Sequence, residues 1–222
     1  MSGFEEIMKK GDLVWGIALV AFISLFIFPS TASVLFKVTD KHPYIMGFSK
    51  FSVFATMGEL LTYRMAKGSW KIFTGFLFKA LVWGIIGMLT VLMFNLYSSG
   101  VKTVAAAGLL PVGKGILKSF LLAFWTSAIM NLTFSPVFMA VHRIVDVIIV
   151  KKMNKVAIHL SEIIQEINWE YFASFILGKT IPFFWIPAHT VAFLLPSDYR
   201  VLFAALLSII LGIILSWGER KA

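Results

Sequence analysis

ALVWGIIGMLTVLMFNLY, residues Ala80–Tyr97, runs for eighteen positions without a charged side chain. The hydrocarbon core of a bilayer is about 30 Å thick, and a helix crosses it with about 20 mostly apolar residues. No water is present there to satisfy a bare N–H or C=O, so an apolar run closes its backbone hydrogen bonds within itself, as a helix. Leu13–Phe36, Ile116–Val141, Tyr171–Leu195 and Val201–Trp217 have the same character. The pattern predicts an all-α, polytopic membrane bundle.

Composition agrees. The 222 residues are 59% hydrophobic and only 14% charged, where a soluble domain carries about 45–50% and about 25%. The length suits one bundle, 1–222, rather than several domains. The net charge is +9. Its Lys and Arg residues lie between the apolar runs, where they reach phospholipid headgroups. No basic stripe is interleaved with aromatics, so nucleic acid is not an expected partner. The expected partners are the lipid bilayer and a small solute or ion, with a homo-oligomer left open. There is no cysteine, which excludes disulfides, thiolate metal sites and cysteine nucleophiles.

Outward from these runs, the chain divides into about six helices, five to six of them spanning. Lys9 and Lys10 before an apolar run have the outline of a secretory signal. The run continues to Phe36, however, which is long for a signal core. It reads as the first transmembrane helix, with Pro29 as a kink or break. Tyr44–Met65 mixes Phe48, Phe51, Phe54, Leu60 and Leu61 with Ser49, Lys50, Thr56, Glu59 and Thr62. Such a helix either inserts and lines a cavity or lies flat at the interface. The third helix runs from about Ile72 to Tyr97. Lys79 can snorkel from it, and Gly75, Gly84 and Gly87 permit close approach by a neighbour. The linker 98–115 carries Gly100, Gly108, Pro111, Gly113 and Gly115 and is expected to be partly re-entrant.

Ile116–Val141 forms the fourth helix, kinked at Pro136. A charged amphipathic segment follows at 142–168, with Ile144, Val145, Ile148, Ile149, Val156, Ile163, Ile164 and Ile167 at helical spacing. It reads as an extension into the aqueous phase followed by a bend, or as a helix lying on the membrane. The fifth helix, Tyr171–Leu195, is broken by Gly178, Pro182 and Pro187. A tight turn, Pro196–Arg200, leads into the sixth.

With six spans, twelve of the twenty Lys and Arg residues fall on the side of the termini: Lys9, Lys10, Arg64, Lys67, Lys71, Lys79, Arg143, Lys151, Lys152, Lys155, Arg220 and Lys221. That bias places both termini in the cytoplasm or matrix. The membrane is the plasma membrane in a bacterium and an organelle inner membrane in a eukaryote. A faint echo links Lys118, Trp125 and Pro136 to Lys179, Trp185 and Pro196 at an offset of about 60 residues. Opposed helices with such an echo suggest an inverted repeat.

Glu59 is the first candidate for function. A carboxylate at membrane depth is costly unless paired or hydrated. Lys79, Lys179 and Arg143 are its candidate partners, and the alternative places it in the headgroups. His189 lies two residues after Pro187, where a freed carbonyl can border a polar cavity. It is a pore-lining, proton-sensitive group or a histidine bonded to a neighbouring helix. Asn131 and Ser135 share a face at i, i+4 and bond across helices or contact a solute. His142, Arg143 and Asp146 also share a face and read best as a solvated ion pair. Trp15, Trp70, Trp83, Trp169 and Trp217 fit an aromatic belt, whereas Trp125 and Trp185 sit deeper, as packing or cavity-wall residues.

No enzyme is expected. The chain has no phosphate-cradling glycine loop, no His-Glu-x-x-His and no Gly-x-Ser-x-Gly. No cofactor or metal is expected either.

From His42 onward the chain resembles the Mpv/PMP family of small peroxisomal and mitochondrial inner-membrane proteins. The first matching region is His42-Pro43 followed by Phe54–Met65, with Gly58-Glu59 where the family has Gly-Asp. The second spans Asn168–Trp217, with Trp185, Phe193, Pro196, Tyr199, Arg200 and Leu215-Ser216-Trp217 in family order and spacing. His189 replaces a Gln, Ala192 replaces an Asn, and the proline is displaced to Pro187. The resemblance implies a pore or channel for small solutes or ions. It marks Glu59, Trp185, His189 and Arg200, while the carry-over to Ala192 fails. The expectation is a small-solute or ion channel. A substrate-binding subunit or carrier, and a non-transporting assembly protein, remain open.

Overall fold

The computed structural model describes residues 10–219, with side chains through 214. The segments containing Lys9, Arg220 and Lys221, and the side chains of Leu215, Ser216 and Trp217, lie outside it. The described chain is helical throughout, without a strand.

The first apolar run forms two helices, α1 (Lys10–Ile27) and α2 (Pro29–Lys41). Pro29 has no N–H to give, so the ladder is interrupted there. The Phe28 N–H still reaches the Ser24 carbonyl (3.0 Å), so the path bends without unravelling. The polar helix α3 (Pro43–Lys67) follows. It ends at Gly68, whose φ of +71° provides the left-handed cap.

Helix α4 (Phe76–Ala106) is longer than the sequence pattern suggests. Ser98-Ser99-Gly100 reads as punctuation, yet the ladder runs through it, because Gly100 costs only about 1 kcal/mol and Ala105–Ala106 favour helix. Residues 98–106 are therefore not re-entrant, and only 107–114 connect to α5 (Gly115–Thr133). Pro136 kinks the junction of α5 with α6 (Ser135–Met153), while the Phe134 N–H keeps its bond to Met130 O (2.9 Å). The chain turns at 154–159 into α7 (Leu160–Glu166). The charged segment is thus a helical extension followed by a bend.

The fifth apolar run is the most irregular. After the single turn α8 (Trp169–Tyr171), Phe172–Trp185 winds as a π-helix, continuing as α9 (Ile186–Leu194). Pro182 lies inside the wide stretch and Pro187 opens α9. Each removes one donor, and the i→i+5 pattern, seen in the Ile186 N–H bond to Ile181 O, redistributes the rest. Pro196 stands between α9 and α10 (Ser197–Glu219), outside both.

Four helices are long and apolar enough to cross a membrane: α1, α4, α5 and Ser197–Ile214 of α10. Their outer faces carry exposed Val14, Ile17, Val20, Leu77, Leu81, Ile85, Ile116 and Ile210, a surface that water would not tolerate at this extent. Helix α3 is too polar for that set, yet it is the most enclosed helix, packed between α4 and α10.

Glycines explain how it fits. A Cβ on Gly87 of α4 would strike the carbonyl of Gly47 on α3, and one on Gly84 would strike the Phe48 ring. Gly58 of α3 faces Ile209, and Gly212 of α10 faces Thr62. The Ser52 hydroxyl donates to Ala80 O across α3–α4 (2.8 Å).

Helix α1 is held by polar contacts. Asp12 takes both arms of Arg64 (3.0 and 3.1 Å) and the Trp70 indole N–H (2.7 Å). The Trp15 indole donates to Met57 O (3.1 Å) and stacks on Trp70. Trp15 and Trp70 therefore act as fasteners between helices. Asp12 near the start of α1 and Gly212 late in α10 both meet the last turns of α3, so the two ends of the described chain share one end of the bundle.

Candidate functional site

A cavity of about 740 Å³ opens between α3, α4, α6, the π-helical stretch, α9 and α10. Its wall is mostly aromatic and aliphatic, and its polar groups gather into two clusters.

The first cluster is charged. Glu59 accepts from Lys79 Nζ through Oε2 (2.9 Å) and from the Trp83 indole through Oε1 (2.6 Å). Lys79 also pairs with Asp146 (3.2 Å), whose other oxygen lies 3.7 Å from His142 Nδ1. The Trp83 ring lies 4.7 Å from the His142 ring, between centroids. Two carboxylates thus share one ammonium, leaving one net negative charge with His142 neutral. Arg143 borders the cavity but is exposed at its edge. The Glu59, Lys79 and Asp146 side chains keep about a fifth of their surface open (18–21%), so the cluster is neither sealed nor free in solvent.

Of the three partners expected for Glu59, the geometry selects Lys79. Two expectations need correction. Trp83 does not belong to a lipid-facing belt, because its N–H is spent on Glu59. His142 and Asp146 do not form a solvated pair either, because α6 turns them inward onto Lys79. Their i, i+4 spacing was legible, but the direction of that face depends on the kink at Pro136.

The second cluster is neutral. Asn131 Nδ2 donates to Ser127 O (2.9 Å) and lies 3.0 Å from His189 Nδ1. The Ser135 hydroxyl donates to Asn131 Oδ1 (3.0 Å). His189 Nδ1 lies 3.0 Å from Asn131 Nδ2 and 3.2 Å from Asn131 Oδ1, so it accepts from the amide or donates to it according to which ring nitrogen carries the proton. Its ring stacks on Trp185 (5.1 Å) and meets the edge of Phe94 (5.6 Å). Ser127 also donates to Ile186 O, the carbonyl just before Pro187 (2.7 Å).

Glu59, Ser135, Trp185 and His189 all border this cavity, while Asn131 lies behind the wall, fully buried. The Trp185 indole nitrogen is buried without a partner among the described residues. Trp125 lies elsewhere, donating to Pro111 O in the 107–114 connection (3.0 Å). Arg200 also lies apart, where its Nε donates to Leu195 O (2.9 Å) and its guanidinium sits over Phe193 (5.9 Å). It borders a separate cavity of about 260 Å³. Phe94 lines both cavities, standing between them, and packs on Phe193 (4.7 Å).

No group of three or more His, Asp or Glu side chains capable of holding a metal occurs among the described residues. Fold and site together define a class: a helical protein with four helices suited to crossing a membrane, enclosing a polar-clustered cavity. Compared with family models, curated proteins and solved structures, the chain matches none.

Proposed function

We infer that the protein is a six-pass membrane bundle whose 740 Å³ cavity is part of a permeation path for a small solute or ion. The observation that carries this reading is the charged cluster Glu59–Lys79–Asp146, kept partly open inside a bundle whose outer faces are apolar. Charged groups at such depth are retained at a cost and mark solute or ion pathways. The six passes are α1 with α2, α3, α4, α5 with α6, the π-helical stretch with α9, and α10. Both ends then lie on the side richer in Lys and Arg, the cytoplasm or matrix. Membership of the Mpv/PMP family is part of the same proposal, carried by the quoted motifs.

Glu59, set deeper than the exposed Arg143 at the cavity edge, gives the path a cation preference. Flux from purified protein in liposomes tests this, wild type beside Glu59→Gln. The substitution leaves Lys79 with Asp146 alone, a neutral pair, so the cation-to-anion permeability ratio falls. Identical reversal potentials in the two proteins would count against Glu59 as the selectivity element. Absence of any flux from folded, inserted protein would remove the permeation reading.

A second reading, a carrier or substrate-binding subunit, is favoured by one observation. Phe94 stands between the two cavities, bordering both. A carrier keeps a barrier of this kind between the cavities on its two sides. Saturable flux with counter-exchange would favour the carrier over the channel.

A further inference from the structure

The smaller cavity lies at the opposite end of α3 from Glu59. Four charged side chains border it: Lys50, Arg200, Asp40 and Asp198. Opposite charges facing a common space normally pair, but among the described residues none of these four forms an ion pair. Lys50 is only 3% exposed. Its hydrogen bond among the described residues is a long one, to Thr39 Oγ1 (3.4 Å), with the Phe26 ring 5.3 Å away. Asp198 acts on this ammonium electrostatically but from beyond ion-pair distance, and a buried ammonium with donors left over is costly unless something anionic completes its shell. Arg200 spends Nε on a carbonyl, which leaves its terminal nitrogens. The carboxylates sit further out, with Asp198 half-buried and Asp40 exposed at the rim. Asn95, Thr39 and Ser197 add neutral polar groups to the wall.

The formal charges of this pocket cancel, and they are sorted by depth: cation inside, carboxylates outside. A simple anion would satisfy Lys50 but meet Asp40 and Asp198. A simple cation would be held at the rim and leave Lys50 bare. We propose that this pocket binds a small zwitterion, with its anionic group beside Lys50 and its amine at Asp198 and Asp40. That chemistry is offered by a free amino acid and by the headgroup of phosphatidylethanolamine. At about 260 Å³ the space admits either. The site does not depend on the permeation reading, and absence of flux would leave it intact.

The test uses the full chain in phosphatidylcholine nanodiscs. Glycine is the free probe, and phosphatidylethanolamine exchanged into the discs is the lipid probe. Each is followed by calorimetry and by the rise in unfolding temperature. The expected result is saturable binding of at least one of them. Acetate and methylammonium, the two halves of glycine, each bind about tenfold more weakly or worse. Lys50→Met weakens binding about tenfold or more. Asp198→Asn, which leaves Lys50 in place, weakens glycine without weakening acetate. Loss of the lipid effect on adding glycine assigns both probes to this pocket and makes the free solute a competent ligand. A lipid effect without glycine binding assigns the headgroup as the source. Saturable binding of neither probe overturns the proposal, as does wild-type affinity in folded Lys50→Met. If Lys50→Met does not fold, Asp198→Asn decides: unchanged glycine affinity, or equal losses for glycine and acetate, overturns it.

Discussion

Asn131 shows how much one side chain can hold. It lies fully buried on α5, and its amide meets Ser127, Ser135 and His189, on three different segments of backbone. Asn131→Leu keeps the volume but strips the Ser135 hydroxyl and His189 Nδ1 of their partner. A buried polar group left unsatisfied costs about 1–3 kcal/mol. The variant is therefore expected to unfold at a distinctly lower temperature in detergent, and an unchanged melting curve would show that the network is not holding α9 to α5. The sequence marked Asn131 and Ser135 by their spacing and His189 by its proline, but not that the three converge. Convergence needs the pairing of α5 with α9, which no local pattern encodes. Trp83 was harder still. An indole near a span end looks the same whether it faces headgroups or, as here, a carboxylate one helix away.

At the scale of elements, α3 and α4 meet through glycine. Gly87→Leu places a branched side chain where the Gly47 backbone already lies, and neither helix can yield without losing Ser52–Ala80 and Glu59–Lys79. Overpacking typically costs about 1–3 kcal/mol, so lower detergent stability with loss of cation selectivity is the expected outcome. Stability loss without a selectivity change would separate packing from the site. The charged extension gives a different prediction. Lys151 of α6 lies between Glu162 and Glu166 of the α7 turn (Glu162 at 3.3 Å). Its hydrogen bond to Glu166 leads in holding its pKa above the ordinary lysine value of 10.5. A raised lysine contributes to docking below its unfolded pKa and ceases to as pH rises through the folded one. The α6–α7 contact is thus intact at neutral pH and loosens above about 10.5. The chain has no cysteine, so spin labels on cysteines introduced at Lys152 and Gln165 report the separation. A distance unchanged past that pH, and in Lys151→Met at pH 7, would exclude the pairing as the latch. The sequence displayed the helical period of this segment clearly. It did not display the π-helical winding of Phe172–Trp185, because prolines announce a break without saying how the remaining donors regroup.

At the scale of the whole molecule, the six-pass reading predicts a simple accessibility map. Single cysteines at Lys71 and Lys152 should react with a membrane-impermeant reagent from one face, and those at Lys102 and Lys114 from the other. Labelling of all four from one face would overturn that topology. Apolar length made the long helices legible at once, since lipid imposes a single backbone solution. The separation of the interior into two cavities was not legible, because Phe94 is one aromatic residue among twenty-two phenylalanines until its neighbours are known. The enclosed position of α3 also bears on how the protein is made. A helix carrying Lys50, Glu59 and Arg64 partitions poorly into lipid alone, since a lysine at mid-bilayer costs about 2.5–3.5 kcal/mol. Ribosomal order delivers α3 before either flank, with α4 soon after and α10 much later. On the six-pass reading, the segment that builds both cavities waits at the membrane surface, or beside the insertion machinery, until its cover arrives. A chain cut short before α10 would therefore carry a stranded, quality-control-prone helix, and the hollow interior comes into being only once α10 has been made.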